Sequence, residues 1–568
     1  MTPTQKNPDS QALFARIAWY CAAGLILALC VFFHAWRLTQ TPGWDPQEGY
    51  TLDIAWNLAH GQVRLFALRS AFAQHPPLFY LQLALAIRLL GYNMLALRAL
   101  VAFYAILTCG TLLVIGRRLI GALPALWAAL AYTLAPVMLA NTRWGYSYAQ
   151  LAFVGLLCLG ATWRAVTLAP CAPHALATPA ASSAEDAASH PTSLDVPARR
   201  WLLVAAGLAG LAAFSDYEGS AWVAFVVLVA FTLSYRIGGW RRASRLAGSV
   251  LAVGLSVPLV GLTLCWLAAP AIFPADLLTT LMRAAGGNPL TQTLALLLNY
   301  YRFVTFDPWL TLGLVGLLFV RMRPTRGLLP AAIGLLALVT LKVRPIGPSL
   351  HTVAPLLPLL ALGAGAVFDA ATQAIRRQVL SWLGSFSALQ GAHRQTASLI
   401  TRALAALTIF VVVASPLALA TASDVAGLAT HLTTPQDAYL ATPADAQAVA
   451  RYLYAHASAG DLVLASPQIA WLFDHPPQAP TLAGSDILQT LAQSGQTTVF
   501  YPAGLPAARW AYRVTLDQAR FVVVDNLLRL LAMPDQLPAL IPLLARIERW
   551  PVVFASGQYA VYARPGRR

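Results

Sequence analysis

The segment Leu78-Phe-Tyr-Leu-Gln-Leu-Ala-Leu-Ala-Ile-Arg-Leu-Leu90 is apolar at almost every position, yet it is only thirteen residues long. A helix that crosses a bilayer takes about 20 such residues, and segments of about 10–14 are more often interfacial, re-entrant or buried. Placing this segment settles where every later loop lies. Counted as a span, it puts Arg117-Arg118 outside and inverts the loops that follow. Taken as a helix in the outer membrane surface, started by Pro76-Pro77, it makes residues 37–94 one extracytoplasmic loop.

The composition demands a membrane. The chain has 568 residues, 58% hydrophobic and 11% charged, with a mean hydropathy of +0.62; soluble domains carry roughly a quarter charged residues. The formal net charge of +16 does not indicate nucleic acid, because the basic residues gather in short loops between apolar spans. These clusters are Arg117-Arg118, Arg199-Arg200, Arg236 with Arg241-Arg242 and Arg245, Arg321 with Arg323 and Arg326, and Arg376-Arg377. Cytoplasmic loops collect Lys and Arg.

Spans are expected near 13–36, 95–116, 121–140, 147–168, 201–215, 219–236, 246–269, 307–321, 327–343, 352–369 and 401–422. Eleven spans with a cytoplasmic N-terminus put every basic cluster inside, as expected for a multi-pass protein of the plasma (inner) membrane. The polar Met1–Ser10 leads into a long apolar segment without a small-residue cleavage site, so it is expected to stay as the first helix. Of six cysteines, all but Cys171 fall inside spans, and no disulfide framework is implied.

Residues 1–422 are thus expected to form the transmembrane unit. Residues 169–200 form a cytoplasmic linker rich in Ala, Pro, Ser and Thr, and 370–400 an amphipathic basic helix on the inner leaflet. An external loop, 270–306, has the length of a lid. From about 423 ordinary polar residues return. Asp461–Ala465 and Phe521–Asp525 read as buried strands, 552–562 as a hairpin about Gly557, and 444–457 and 527–546 as helices. This predicts an extracytoplasmic α/β domain over 423–568.

The loop Gly43-Trp-Asp-Pro-Gln-Glu-Gly-Tyr50 carries two acids, Asp45 and Glu48, at a membrane surface. Asp45 before Pro46 suits the cap of a helix running through Tyr50 and Asp53. Helical spacing lets Asp45 and Glu48 point into one cavity while Asp53 is angled away. The alternative is chemistry: a hydroxyl is a poor nucleophile at neutral pH, and a positioned carboxylate contributes roughly 10²–10⁴-fold as general base. His75, before Pro76-Pro77, is conformationally stiff, and its role depends on its surroundings.

Several motifs together resemble the GT-C glycosyltransferases, in the dolichyl-phosphate-mannose protein mannosyltransferase-like branch that includes the aminoarabinose transferases acting on lipid A. They are Glu48-Gly-Tyr50, His75-Pro-Pro-Leu-Phe-Tyr80, Leu97-Arg-Ala-Leu100, Gly116-Arg-Arg118, and Asn141-Thr-Arg143 with Tyr146 and Tyr148. The resemblance implies transfer of a monosaccharide from a polyprenyl-phosphate donor to an extracytoplasmic acceptor hydroxyl, with inversion and a first-loop carboxylate as base. Tyr50, His75, Tyr146 and Tyr148 would line the substrate pocket. The usual pattern is adjacent Asp-Glu; here Gln47 occupies the Asp position. Either Asp45 substitutes from two residues upstream, or Glu48 is the base, or the chain is catalytically silent.

Donor phosphate needs cations on the outer face. Arg143 and Arg344 lie there against the positive-inside trend, with His351 and Arg302 behind them. Asp216 and Glu218 also emerge outside, suited to a divalent metal, to acceptor, or to nothing more than a hydrated turn. No dedicated metal site is evident and no other cofactor is expected. The partners implied are a polyprenyl-phosphate-linked sugar, membrane lipid and an acceptor that is glycolipid, polysaccharide or protein. A transporter or flippase is the competing class, but it more often shows two related halves, and none is evident.

Overall fold

The computed structural model describes residues 8–60, 76–169, 196–268, 308–317, 328–343, 354–387, 418–427, 440–458, 461–472, 481–483, 516–532 and 540–566, with a few single positions between them. Helix α1 runs over Pro8–Ala35, α2 over Pro46–Ala59, α3 over Leu78–Leu90 and α4 over Met94–Thr111, continued by a π-helical turn through Gly116. Next come α5 (Ala122–Leu134), α6 (Pro136–Asn141), α7 (Tyr148–Leu168), α8 (Val196–Ser215), α9 (Ser220–Ala268), α10 (Pro308–Gly316), α11 (Leu328–Val343) and α12 (Leu357–Ser387).

Sequence punctuation sets several boundaries. Gly91 adopts φ +84° and closes α3, its N–H donating to Ile87 O. Asn93 then caps α4 by accepting the Ala96 N–H at 2.9 Å. Pro136 stands at the first turn of α6, dividing the region expected as one span at 121–140. Gly239 at φ +70° breaks α9 into two arms, which lie where spans 219–236 and 246–269 are expected.

Six of these stretches are long and apolar enough to cross a membrane: Ala12–Ala35, Met94–Leu119, Tyr148–Leu168, Val196–Ser215, Tyr217–Ala268 and Ala354–Gln378; three shorter apolar helices accompany them. The protein is a multi-pass membrane protein. Its outward side chains agree: Leu81, Leu85 and Leu89, one turn apart on α3, are exposed. Apolar stripes of that kind need a cover other than water. Inside, small residues let backbones close up. Gly313 and Gly316 of α10 face Gly363 of α12 so closely that a Cβ at any of the three would strike the partner backbone.

Two expected features fall largely outside the described residues: the linker 169–200, apart from its ends, and most of the external loop 270–306. The helix expected at 370–400 is the continuation of α12 as far as Ser387.

The C-terminal unit contains α13 (Pro443–His456), β1 (Leu462–Leu464), α14 (Pro467–Ala470), β2 (Thr481–Ala483), β3 (Ala519–Val524), α15 (Asn526–Leu531), α16 (Leu540–Ile547), β4 (Val552–Ser556) and β5 (Tyr559–Ala563). The sheet has order β2-β1-β3-β5-β4. Strand β1 lies parallel to β2 and β3, while β5 pairs antiparallel with β3 and β4. Phe521 and Val523 pack toward Ala446, Val449 and Leu453 of α13; Val522 and Val524 pack toward Leu528, Leu540 and Ile547. A strand buried on both faces reads as a continuous apolar run, as 521–524 does. Gly557 turns the β4–β5 hairpin at φ +53°, a conformation that favours glycine.

Candidate active site

The acidic loop is organised by the start of α2. Asp45 Oδ1 accepts the Gln47 N–H at 2.8 Å, and Glu48 Oε2 accepts the Asp45 N–H at 2.9 Å. With Pro46 at the first helical position, this is a reciprocal capping box built on Asp and Glu.

Glu48 does more than cap. Arg98, from the second turn of α4, grips it with both arms of its guanidinium: Nε to Oε1 and Nη2 to Oε2, each at 2.7 Å. Both side chains are completely buried. Gly145 N–H donates to Oε1 as well, at 2.8 Å. The carboxylate therefore accepts four hydrogen bonds, about its full capacity. Arg98 also donates Nη1 to Leu38 O and Pro42 O, at 3.0 and 2.8 Å, and Nη2 to Gly43 O at 3.2 Å. One guanidinium thus sews the loop between α1 and α2 to α4.

Three loops meet here. Gly145 binds Glu48, and its neighbour Ser147 donates to Asp216 Oδ2 at 3.0 Å. Asp216 also caps the short turn containing Glu218, and both acids are buried. Tyr146 and Tyr148 are buried in the same loop with ring centroids 5.7 Å apart, and Tyr50 is half-buried on α2. Asp53 is buried too, and α3 packs along α2. Among the described residues no group of three or more His, Cys, Asp or Glu is placed to hold a metal.

Arg143, expected at the donor phosphate, has its guanidinium occupied by backbone carbonyls. It is fully buried and donates to Phe33 O, to Trp36 O at 2.8 Å and to Thr41 O at 2.9 Å. It caps the carbonyl end of α1, where a cation also answers the helix dipole. Burial, and then repulsion from Arg98, push its pKa down to about 9. His75, Arg302, Arg344 and His351 lie outside the described residues.

Arg98 has no role in the sequence reading, although it lies in a quoted motif. An arginine among apolar residues of a span demands a partner, and that signal was available. An apolar cavity of about 570 Å³ opens beyond the other end of α2, lined by Leu58, Pro77, Leu81, Phe214, Val260 and Leu264 among others. Helix α2 joins the acids at its start to this groove at its end, roughly 20 Å away at 1.5 Å per residue.

No family model matches the chain, and no curated protein does. Solved structures do. ArnT from Cupriavidus metallidurans bound to undecaprenyl phosphate superposes with a TM-score of 0.52 at 17% identity, covering 97% of this chain and 98% of that one. The same protein in its apo state gives 0.54. The archaeal oligosaccharyltransferase AglB from Archaeoglobus fulgidus, in complex with an inhibitory peptide and a dolichol-phosphate, gives 0.51 at 13% identity over 97% of this chain and 75% of that one. The fold is the one that these two proteins share. It extends through the C-terminal unit as well as the membrane helices.

Proposed function

We propose that the protein transfers a monosaccharide from a polyprenyl-phosphate donor to an acceptor hydroxyl, with Asp45 as general base and Glu48 as the group that positions it. The observation that carries this division is the saturation of Glu48. Its oxygens already accept from Arg98 twice, from Gly145 and from Asp45, so it has little capacity left for a substrate proton. Asp45 stands at the helix start, where its Oδ1 accepts the Gln47 N–H at 2.8 Å, and its own N–H is fixed on Glu48.

In the reaction, the acceptor oxygen bonds to the sugar's anomeric carbon from the face opposite the phosphate. The carbon–oxygen bond to phosphate breaks, its electron pair leaves with the polyprenyl phosphate, and the hydroxyl proton passes to Asp45. The transition state is oxocarbenium-like, as in glycosidases, and negative charge beside it is stabilising. Cations must balance the leaving phosphate; with Arg143 committed to α1, this task falls to Arg302, Arg344 or His351. The groove lined by Leu58, Leu81 and Val260 suits the isoprenoid tail, where each buried methylene contributes about 0.8 kcal/mol. The superposition on ArnT bound to undecaprenyl phosphate supports a lipid-phosphate donor.

The test is release of polyprenyl phosphate by the full chain in lipid, given a panel of polyprenyl-phosphate sugars and membrane extract as acceptor. Asp45→Asn keeps a capping side chain and is expected to fold while losing roughly 10²-fold or more in turnover. Glu48→Gln is expected to lose thermal stability first. Wild-type turnover in Asp45→Asn would sink the assignment.

A further inference from the structure

The loop that presents Asp45 is gripped from two sides, and only one grip comes from the membrane helices. Arg98 holds Pro42 O and Gly43 O. The C-terminal domain holds the next residue. Trp44 N–H donates to Ala441 O at 2.8 Å, and Ala441 N–H donates back to Trp44 O at 2.9 Å, forming a one-residue antiparallel bridge. Gln468, in α14, adds a second donor to the same carbonyl, Nε2 to Trp44 O at 2.9 Å, across 424 residues of chain.

The contact is closely fitted. Gln468 is fully buried, and Tyr559 of β5 donates to its Oε1 at 3.4 Å, which orients the amide so that its NH₂ faces Trp44. Burial, with the charge of Asp525 next, holds the Tyr559 phenol well above its usual pKa, so it remains a donor at neutral pH. The Trp44 ring packs edge-on against Trp471 with centroids 5.2 Å apart. A Cβ on Gly43 would stand 2.9 Å from Ala441 O, so only glycine lets the two backbones approach this closely. With the Asp45 N–H on Glu48, the carbonyls of Pro42, Gly43 and Trp44 and the N–H groups of Trp44 and Asp45 each have a partner.

We propose that the C-terminal domain completes the catalytic loop, with Gln468 as a positioning residue that fixes the Trp44 carbonyl and thereby the Asp45 carboxylate. The role rests on Asp45 being the base, and the experiment separates the two. Gln468→Met keeps the side chain's length and removes its donor. Two readouts are taken on the full chain in lipid: backbone hydrogen exchange over residues 40–48, and kcat and KM for a polyprenyl-phosphate sugar. Arg546→Ala, on the far surface of the same domain, is the control.

Exchange at the Trp44 and Asp45 amides is expected to quicken in Gln468→Met. The kcat should fall about ten- to a hundredfold, the usual result of an ångström-scale misplacement, with KM for the donor within about twofold because the tail groove is remote. Gly43→Ala attacks the same junction from the loop side, and the double variant should be little worse than either single one. Unchanged exchange overturns the clamp. Quickened exchange with unchanged kcat, or an effect confined to KM, overturns the positioning role. If the wild type turns over no donor, the Asp45 reading and the catalytic part of this proposal fall together, while exchange still decides the clamp.

Discussion

Arginine is used in opposite ways in the two halves of the molecule. Beside the membrane helices, Arg98 and Arg143 are fully buried and spend most of their donors on backbone carbonyls: Leu38, Pro42 and Gly43 for one, Phe33, Trp36 and Thr41 for the other. In the C-terminal domain, Arg520 meets Asp461 at 2.5 Å with its side chain 29% exposed, and Arg546 meets Asp517 at 2.6 Å with 56% exposed. Where water cannot reach, a loop's carbonyls need protein donors, and a guanidinium supplies five in a fixed plane. Where water can, the same group makes a pair that solvent largely replaces.

The largest effect expected from this contrast is at Arg98. Arg98→Ala strands the Glu48 carboxylate and three carbonyls, and removing one partner of a buried pair costs about 3–5 kcal/mol. Arg98→Lys keeps the charge but cannot reproduce five hydrogen bonds from one plane, so it should recover only part of the loss. Thermal unfolding in detergent would show both, and Arg98→Met with Glu48→Gln should be less damaged than Arg98→Met alone. Were Arg98→Ala as stable as the wild type, the pair would not hold the loop.

The elements whose signals are local were legible in the sequence. Helix α3 has the bounds Leu78–Leu90 because Pro77 and Gly91 punctuate an apolar run. Strand β3 and the hairpin about Gly557 announce themselves through apolar runs and a turn glycine. Strand β2, three residues long, has no period to detect. The site's wiring was illegible for a different reason. Arg98 reaches partners 50 to 60 residues away, and most are carbonyls, which every residue carries and no sequence marks. Arg143 shows the same limit from the other side: its unfavoured position was visible, but the carbonyl end of α1 was as good a reason for it as a phosphate.

Asp525 offers a smaller effect within the C-terminal domain. It is fully buried at the end of β3, where it caps α15 by accepting the Leu528 N–H at 2.8 Å, and burial raises its pKa above the usual carboxylate value. A folded-state pKa above the unfolded one means the native state holds the proton more readily. This part of the stability therefore rises as pH falls through the raised value, and levels off below the ordinary Asp value of about 4. Asp525→Asn keeps a cap and removes the titration. The difference in melting temperature between wild type and variant should change over that window in the stated sense, and a flat difference would show that the site does not desolvate its acid.

The smallest effect belongs to Arg546. Its pair with Asp517 is short, but both side chains are more than half exposed, and pairs of that kind contribute about 0–1 kcal/mol. Arg546→Ala should shift the thermal midpoint hardly at all in ordinary salt, and the shift should vanish in high salt, where exposed charges are screened. A salt-resistant loss approaching that of Arg98→Ala would mean that bond length, not burial, decides what an ion pair is worth here. Two pairs of nearly equal length, 2.6 Å at Arg546 and 2.7 Å at Arg98, differ in access to water and in the number of bonds the guanidinium makes, so measuring them side by side shows how little length alone decides.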